Sequence, residues 1–200
     1  MILSVSRRTD IPSLYTPWFF QRLKEGFVLV RNPMNPHQIS RISLHPDLLD
    51  GIVFWSKNPA PLLKHWQELR TYPFYIQFTL TPYGPELEPG LPDKSSLVET
   101  FRQLADRFGP EHLVWRYDPI LFTPKYDLAF HQDAFARLAE ALCDSTDQCI
   151  FSFLDLYHKT ERNMRGQQLA FPSPATLRTL MESMAESARR YGLTLQVCSE

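Results

Sequence analysis

A chain of 200 residues with 44% hydrophobic and 13% aromatic residues carries enough apolar surface for one globular domain spanning residues 1–200, of barrel or open α/β type. A formal net charge of -1 provides no overall field toward nucleic acid or an anionic membrane, so neither partner is expected and any anion site must be local. The three cysteines, Cys143, Cys149 and Cys198, are odd in number and lack framework spacing, which argues for a reducing, cytoplasmic location, and no apolar run approaches membrane-spanning length.

Six short apolar runs, each stopping in a burst of polar residues, are expected to be strands. The first, Ile-Leu-Ser-Val-Ser, ends in Arg7-Arg8-Thr9-Asp10. A helix is expected over Pro17 to Glu25, with Thr16 as N-cap and Pro17 at the first helical position. Two apolar stretches, 27–30 and 37–44, flank a proline-pinned loop and read as an inserted β-arm. The second run, Ile-Val-Phe-Trp, ends in Ser56-Lys57-Asn58, and a helix is expected over Pro59 to Leu69.

The third run, Phe-Tyr-Ile-Gln-Phe-Thr, leads into Thr81 and a proline-rich stretch, 81–93, that cannot be regular and has the character of a loop covering a site. Leu97, Phe101, Leu104 and Phe108 recur at helical spacing, as do Phe130, Ala134, Phe135, Leu138 and Leu142. Between these helices Leu-Val-Trp runs into Arg116-Tyr117-Asp118-Pro119. Ile-Phe-Ser-Phe then stops at Asp155, a helix is expected from Pro174 to Tyr191 before Gly192, and the sixth run ends in Cys198-Ser-Glu200.

Alternating strands and helices imply a parallel sheet. Six units are too few for the standard eight-stranded barrel, so a partial (βα)6 TIM-like barrel with the β-arm is the first expectation and a flat doubly wound sheet the second. No glycine-rich phosphate fingerprint follows any strand, and seven glycines in all weaken a dinucleotide-binding reading. In either architecture the polar strand ends share one rim, where such folds keep their sites.

The candidate chemistry sits on that rim. Arg7 and Arg8 offer guanidinium forks for a carboxylate or phosphate, with Asp10 to orient them; the plain alternative is an internal Arg-Asp pair. Lys57 would contact an anion or be merely solvated, and Asn58 suits a helix N-cap as well as a ligand. Alternation places Arg116 and Asp118 on one side of their strand, as a functional charged couple or a structural ion pair. Gln77 and Thr79, with Thr81, alternate where a parallel strand normally buries apolar residues, which suggests a polar lumen. Ser152 and Asp155 lie near the fifth strand's end, where Asp155 would serve as ligand group or as cap for a helix carrying His158 to Met164. Arg31 and Asn32 on the arm's stiff loop, with Asn35, His37 and Arg41, would close over a ligand, contact a partner or simply form a turn. The six histidines form no His-x-His or His-Glu-x-x-His set, so no metal site is expected. Cys143 and Cys149 read chiefly as small apolar residues.

Several long strings together resemble a family described as domain of unknown function 1848: residues 4–12, 28–33, 35–38, 53–59, 77–84, 114–121 and 152–157. The resemblance covers nearly the whole chain. It implies kinship with radical S-adenosylmethionine enzymes: Arg116-Tyr-Asp118-Pro119-Ile120 is similar to an Arg-x-Asp-Pro-Ile strand end in spore photoproduct lyase-like members, and Ser56-Lys57 to a Thr-Lys pair there. In the family the cluster motif, of the Cys-x-x-x-Cys-x-x-Cys type, is implied to lie in a C-terminal segment. Members continue past the point where this chain reads Cys198-Ser-Glu200, and these residues contain no such triad of thiolates. The expectation is therefore either a form whose cluster-bearing part lies elsewhere or a domain that kept the pocket without the redox chemistry.

The resulting expectation is a radical-enzyme barrel domain whose C-terminal rim binds an anionic small molecule or S-adenosylmethionine. Asp10, Lys57, Arg116 and Asp118 are the catalytic candidates. Arg7, Arg8, Arg31, Asn32, Asn58, Gln77, Thr79 and Asp155 are the binding candidates, with a [4Fe–4S] cluster belonging to the full-length form. The rival is a non-catalytic module for a small anionic or nucleotide-like ligand. A weaker third reading is a metal-assisted hydrolase using Asp10, Asp118 and Asp155.

Overall fold

The computed structural model describes residues 1–5, 9–155, 164, 166 and 168–198, arranged as two compact units, Met1–Phe78 and Thr79–Glu200. The chain is of the α/β class, with six parallel strands separated by helices. Among the described residues no helix is long and apolar enough to cross a membrane.

In the first unit β4 (Gly51–Ser56) is central, paired in parallel with β1 (Ile2–Val5) on one side and β5 (Phe74–Thr79) on the other. Ile52, Phe54, Ile76 and Phe78 are buried, and their layer is closed by α2 (Thr16–Glu25). Phe19 of that helix meets Phe54 edge to face at 5.6 Å between ring centres, and Phe20 stacks on His65 at 4.1 Å. The helix stops where expected, at Gly26, whose φ of 75° is the left-handed conformation that ends helices cheaply only in glycine.

Two expectations about helices in this unit are corrected. Thr16 is not the cap of α2: it is the first helical residue, and its hydroxyl instead donates to the carbonyl of Pro12 at 2.6 Å, behind the one-turn helix α1 (Ile11–Leu14). The helix expected over Pro59 to Leu69 is a 3-10 stretch, Ala60–His65, followed by a single α turn, α3 (Trp66–Leu69). Pro59 and Pro61 remove two donors around the opening turn, which favours the tighter, shorter winding. The β-arm is present as an antiparallel pair, β2 (Phe27–Arg31) with β3 (Ile39–Ser43), in the register Phe27↔Ser43 to Arg31↔Ile39.

The second unit repeats the parallel arrangement, with β7 (Gln148–Phe153) between β6 (Leu113–Ile120) and β8 (Thr194–Val197). Its α-helices among the described residues are α4 (Lys94–Phe108), α5 (Leu128–Leu142) and α6 (Pro174–Arg190), each opened by a side-chain cap: Asp93, Asp127 and Ser173 accept from Ser96, Phe130 and Thr176. Their buried stripes, Leu97, Phe101 and Leu104 on α4 and Ala134, Phe135 and Leu142 on α5, are those the helical spacing marked. Trp115 lies flat on Phe135 with 5.0 Å between ring centres, and its indole N–H donates to the carbonyl of Leu80 at 2.9 Å.

β6 runs five residues beyond the apolar Leu-Val-Trp run. The added residues stay in the strand because Tyr117 and Ile120 are buried and Arg116 and Asp118 neutralise each other. The peptide bond between Asp118 and Pro119 is cis.

Beneath this strand Tyr117 and His131, both fully buried, share a hydrogen bond of 2.9 Å. His131 Nε2 faces the carbonyl of Leu121 at 2.9 Å, and a carbonyl can only accept, so Nε2 carries the proton and Nδ1 accepts from the tyrosine hydroxyl. Burial pushes the imidazole below its ordinary value of 6.5, outweighing the Leu121 hydrogen bond and the nearby Asp127 carboxylate. The unfolded chain therefore binds the extra proton first. Stability is complete above about pH 6.5 and falls as the pH drops below it, with a slope approaching about 1.4 kcal/mol per pH unit from this residue. Denaturant titrations between pH 7 and 5 should show that slope in the native chain and a flatter one in His131→Gln.

Candidate functional site

In the second unit the ends of parallel β6, β7 and β8 surround a cavity of about 240 Å³ lined by Arg116, Asp118, Ser152, Phe153, Asp155, Val197 and Cys198. The side-chain alternation of β6 sets Arg116 and Asp118 on one face. Nε of Arg116 donates to Asp118 Oδ2 at 2.7 Å, Nη2 bonds the same oxygen, and Ser152 Oγ donates to Oδ1 at 2.6 Å. The Asp118 carboxylate is thus held at both oxygens by neighbouring strands, and its side chain is 18% exposed against 7% for Arg116.

Burial alone would weaken the guanidinium's charge, but hydrogen bonds to Asp118 and then to the Cys198 side chain outweigh it and hold Arg116 above its ordinary value. The couple is nearly neutral as a unit. Asp155 is exposed and also lines the cavity, which therefore presents an arginine paired with one carboxylate together with a second carboxylate. Such a set suits a ligand with an anionic group beside hydroxyl or amine donors rather than a bare anion.

In the first unit Asp10 is the organising residue. Its Oδ1 accepts from the backbone of Ser13 at 2.9 Å and from Ser56 Oγ at 2.7 Å, and its Oδ2 accepts from the backbone of Lys57 at 2.9 Å. The carboxylate caps α1 and fastens it to the end of β4, joining Asp10 and Lys57 through the lysine's backbone. Asn58 contributes to the same turn, donating its N–H to Ser56 Oγ at 3.0 Å and accepting from Ala60 at 3.4 Å. Gln77 is buried, with its amide 3.5 Å from the Tyr75 hydroxyl, and Thr79 is half-buried at the end of β5. On the β-arm Arg31 is exposed, and Asn32 ties the turn together through Gln38 Oε1 at 2.7 Å and the Met34 N–H at 2.9 Å. Arg7, Arg8 and the helix proposed after Asp155 lie outside the described residues.

The loop 81–93 is pinned by contacts that spacing could not reveal. Thr81 Oγ1 donates to Glu88 Oε1 at 2.8 Å and Lys94 Nζ to Glu88 Oε2 at 2.5 Å. Tyr126 accepts from the Gly84 N–H at 3.0 Å and donates to Glu86, which also pairs with Lys125. Hydrogen bonds from Lys125 and then Tyr126 hold the Glu86 carboxyl down at about 2. Tyr83 donates to the Pro119 carbonyl at 2.8 Å and accepts from the Leu121 N–H at 2.9 Å, joining the loop to the exit of β6. The only sequence signal was their density of hydrogen-bonding side chains.

The cysteines do not fit an iron–sulfur cluster. Cys143 caps the C-terminus of α5, Cys149 is fully buried in β7 with its thiol pushed up by burial, and Cys198 stands at the far end of the parallel strands in the cavity. Among the described residues no three His, Cys, Asp or Glu side chains gather as a metal site.

These features define an α/β protein with a small polar cavity at strand ends. The chain belongs to the family described as Domain of unknown function (DUF1848), whose model matches residues 2–200. No curated protein matches the chain.

Asp10→Ala should lower the stability of the chain by roughly 2–3 kcal/mol, because a helix cap and the buried Ser56 and Lys57 donors lose their acceptor. Guanidinium denaturation of Asp10→Ala beside Asp10→Asn measures it, with the asparagine losing less. Unchanged stability in both would show that Asp10 is not a structural fastening.

Proposed function

We propose that the cavity formed by β6, β7 and β8 binds a small polar ligand that carries an anionic group next to hydroxyl or amine donors. The observation behind this reading is the Arg116–Asp118–Ser152 constellation, a buried charged couple kept facing a cavity when an apolar replacement would cost less to bury. Arg116 would orient the anionic group, while Asp118 and Asp155 would accept from hydroxyls or amines. Cys198 and Val197 would close the side formed by β8.

S-adenosylmethionine, with a carboxylate, an amine and ribose hydroxyls, offers the groups that the lining of this cavity of about 240 Å³ can take. Because Cys143, Cys149 and Cys198 do not converge, no step is assigned to an iron–sulfur cluster, and binding without turnover is the function these residues support best. The partial (βα)6 barrel remains the arrangement we propose for the strands, since the connections run from strand through helix to parallel strand. A reducing, cytoplasmic setting is part of the same proposal.

Calorimetric titration with S-adenosylmethionine and with inorganic phosphate tests it. Asp155 is exposed, so Asp155→Ala should fold normally and weaken S-adenosylmethionine binding roughly fivefold to tenfold. Inorganic phosphate, a bare anion, should bind more weakly than S-adenosylmethionine, and Arg116→Ala should abolish S-adenosylmethionine binding but also destabilise the chain by about 3–5 kcal/mol, since it strands a partly buried carboxylate. Arg116→Lys, which keeps the charge, separates the two effects. No binding of either probe by the native chain, or equal binding by native chain and Asp155→Ala, would overturn the proposal.

A further inference from the structure

On the helical side of the second unit, α4 and α5 enclose a groove of about 560 Å³ that is separate in its lining from the strand-end cavity. Ser95, Val98 and Arg102 lie at i, i+3 and i+7 on α4, and Phe130, Ala134 and Leu138 at i, i+4 and i+8 on α5, so each helix turns one stripe toward the groove. The floor is apolar. Every charged residue in the lining is a cation, Lys94, Arg102 or Arg137, although the chain as a whole carries a net charge of -1.

The three cations are not equivalent. Lys94 is paired with Glu88 and Arg137 with Asp133, whereas Arg102 has no carboxylate partner among the described residues. Its Nε and Nη2 both donate to the carbonyl of Ala141, at 3.1 and 2.9 Å, in the last turn of α5. That carbonyl has no intrahelical donor, so the bond satisfies it and fixes the guanidinium at the groove wall. A neutral acceptor leaves the guanidinium without an ion-paired carboxylate among the described residues, though Glu99 and Asp106 lie one turn away on α4, and its rotamer freedom is already spent.

We infer that this groove binds a small anionic amphiphile, an aryl or medium-chain carboxylate, with its apolar body against Val98, Phe130, Ala134 and Leu138 and its carboxylate on Arg102. Size favours this occupant over a protein segment. From Ser95 to Arg102 the helix advances only about 10 Å, a stripe too short to bury the roughly 800 Å² per partner of a stable protein interface, whereas 560 Å³ lies within the range of small-molecule sites.

The test uses the full chain and three probes of equal length: octanoate, 1-octanol and octylammonium. Methyl resonances of Val98, Ala134 and Leu138 should shift saturably with octanoate at low millimolar concentration, and octanol and octylammonium should bind roughly tenfold more weakly or not at all. Arg102→Gln, whose amide can still donate to Ala141, should abolish the preference for octanoate over octanol. Val98→Glu should remove octanoate binding, with circular dichroism confirming that each variant folds. Equal binding of the three probes, an octanoate preference that survives in Arg102→Gln, shifts confined to other residues, absence of saturation, or self-association through this face in solution would each overturn the inference.

Discussion

The second unit depends on one arrangement: an arginine and an aspartate two residues apart on β6, each the other's counter-charge, with a serine from β7 completing the carboxylate's shell. That neutralisation lets β6 carry Arg116 and Asp118 among buried Trp115, Tyr117 and Ile120. Because Arg116 and Asp118 are both satisfied, β6 extends to the cavity and brings Leu80, Tyr83 and the loop beyond them into its hydrogen-bonding pattern. Desolvating such a couple is unfavourable by comparison with a leucine and a valine of similar bulk. Its position facing a cavity gives the cost a purpose.

The first unit uses the same economy in a different form. Asp10 holds α1 and the exit of β4 with three hydrogen bonds and leaves little of its carboxylate for chemistry. Two aspartates that looked alike as polar strand ends therefore do different work. Asp10 is saturated by its own fold, whereas Asp118 is oriented by its fold and still lines open volume. This distinction, rather than charge density, separates a fastening from a carboxylate that still faces open volume.

Much of the architecture was legible because it is written in periodicity. The apolar runs and helical stripes at Phe101 and Phe135 reappear as strands and packed helix faces, and Gly26 stops α2 as a left-handed C-terminal residue must. Alternation alone placed Arg116 and Asp118 on the same face. The misreadings came where a local rule met competing chemistry. The Thr16 hydroxyl donates to the Pro12 carbonyl instead of accepting from an N–H of its own helix, and prolines at 59 and 61 tightened what looked like an ordinary α-helix. The length of β6 was hidden because hydropathy counts Arg116 and Asp118 as exposed when pairing lets them be buried. Contacts between residues distant in sequence, such as Tyr83 with β6 or Arg102 with Ala141, leave no spacing signature at all.

The Tyr83 hydroxyl has a consequence for how this protein can vary. One oxygen donates to Pro119 and accepts from Leu121, the two jobs that an adjoining strand would divide between a peptide N–H and a peptide C=O. A side chain has thereby taken the place of a neighbouring main chain, and the requirement falls on a single phenol instead of on a run of residues. The remainder of the proline-rich segment needs no ladder of its own against β6, and its side chains are free to make the separate ties at Thr81, Gly84, Glu86 and Glu88 that hold its shape.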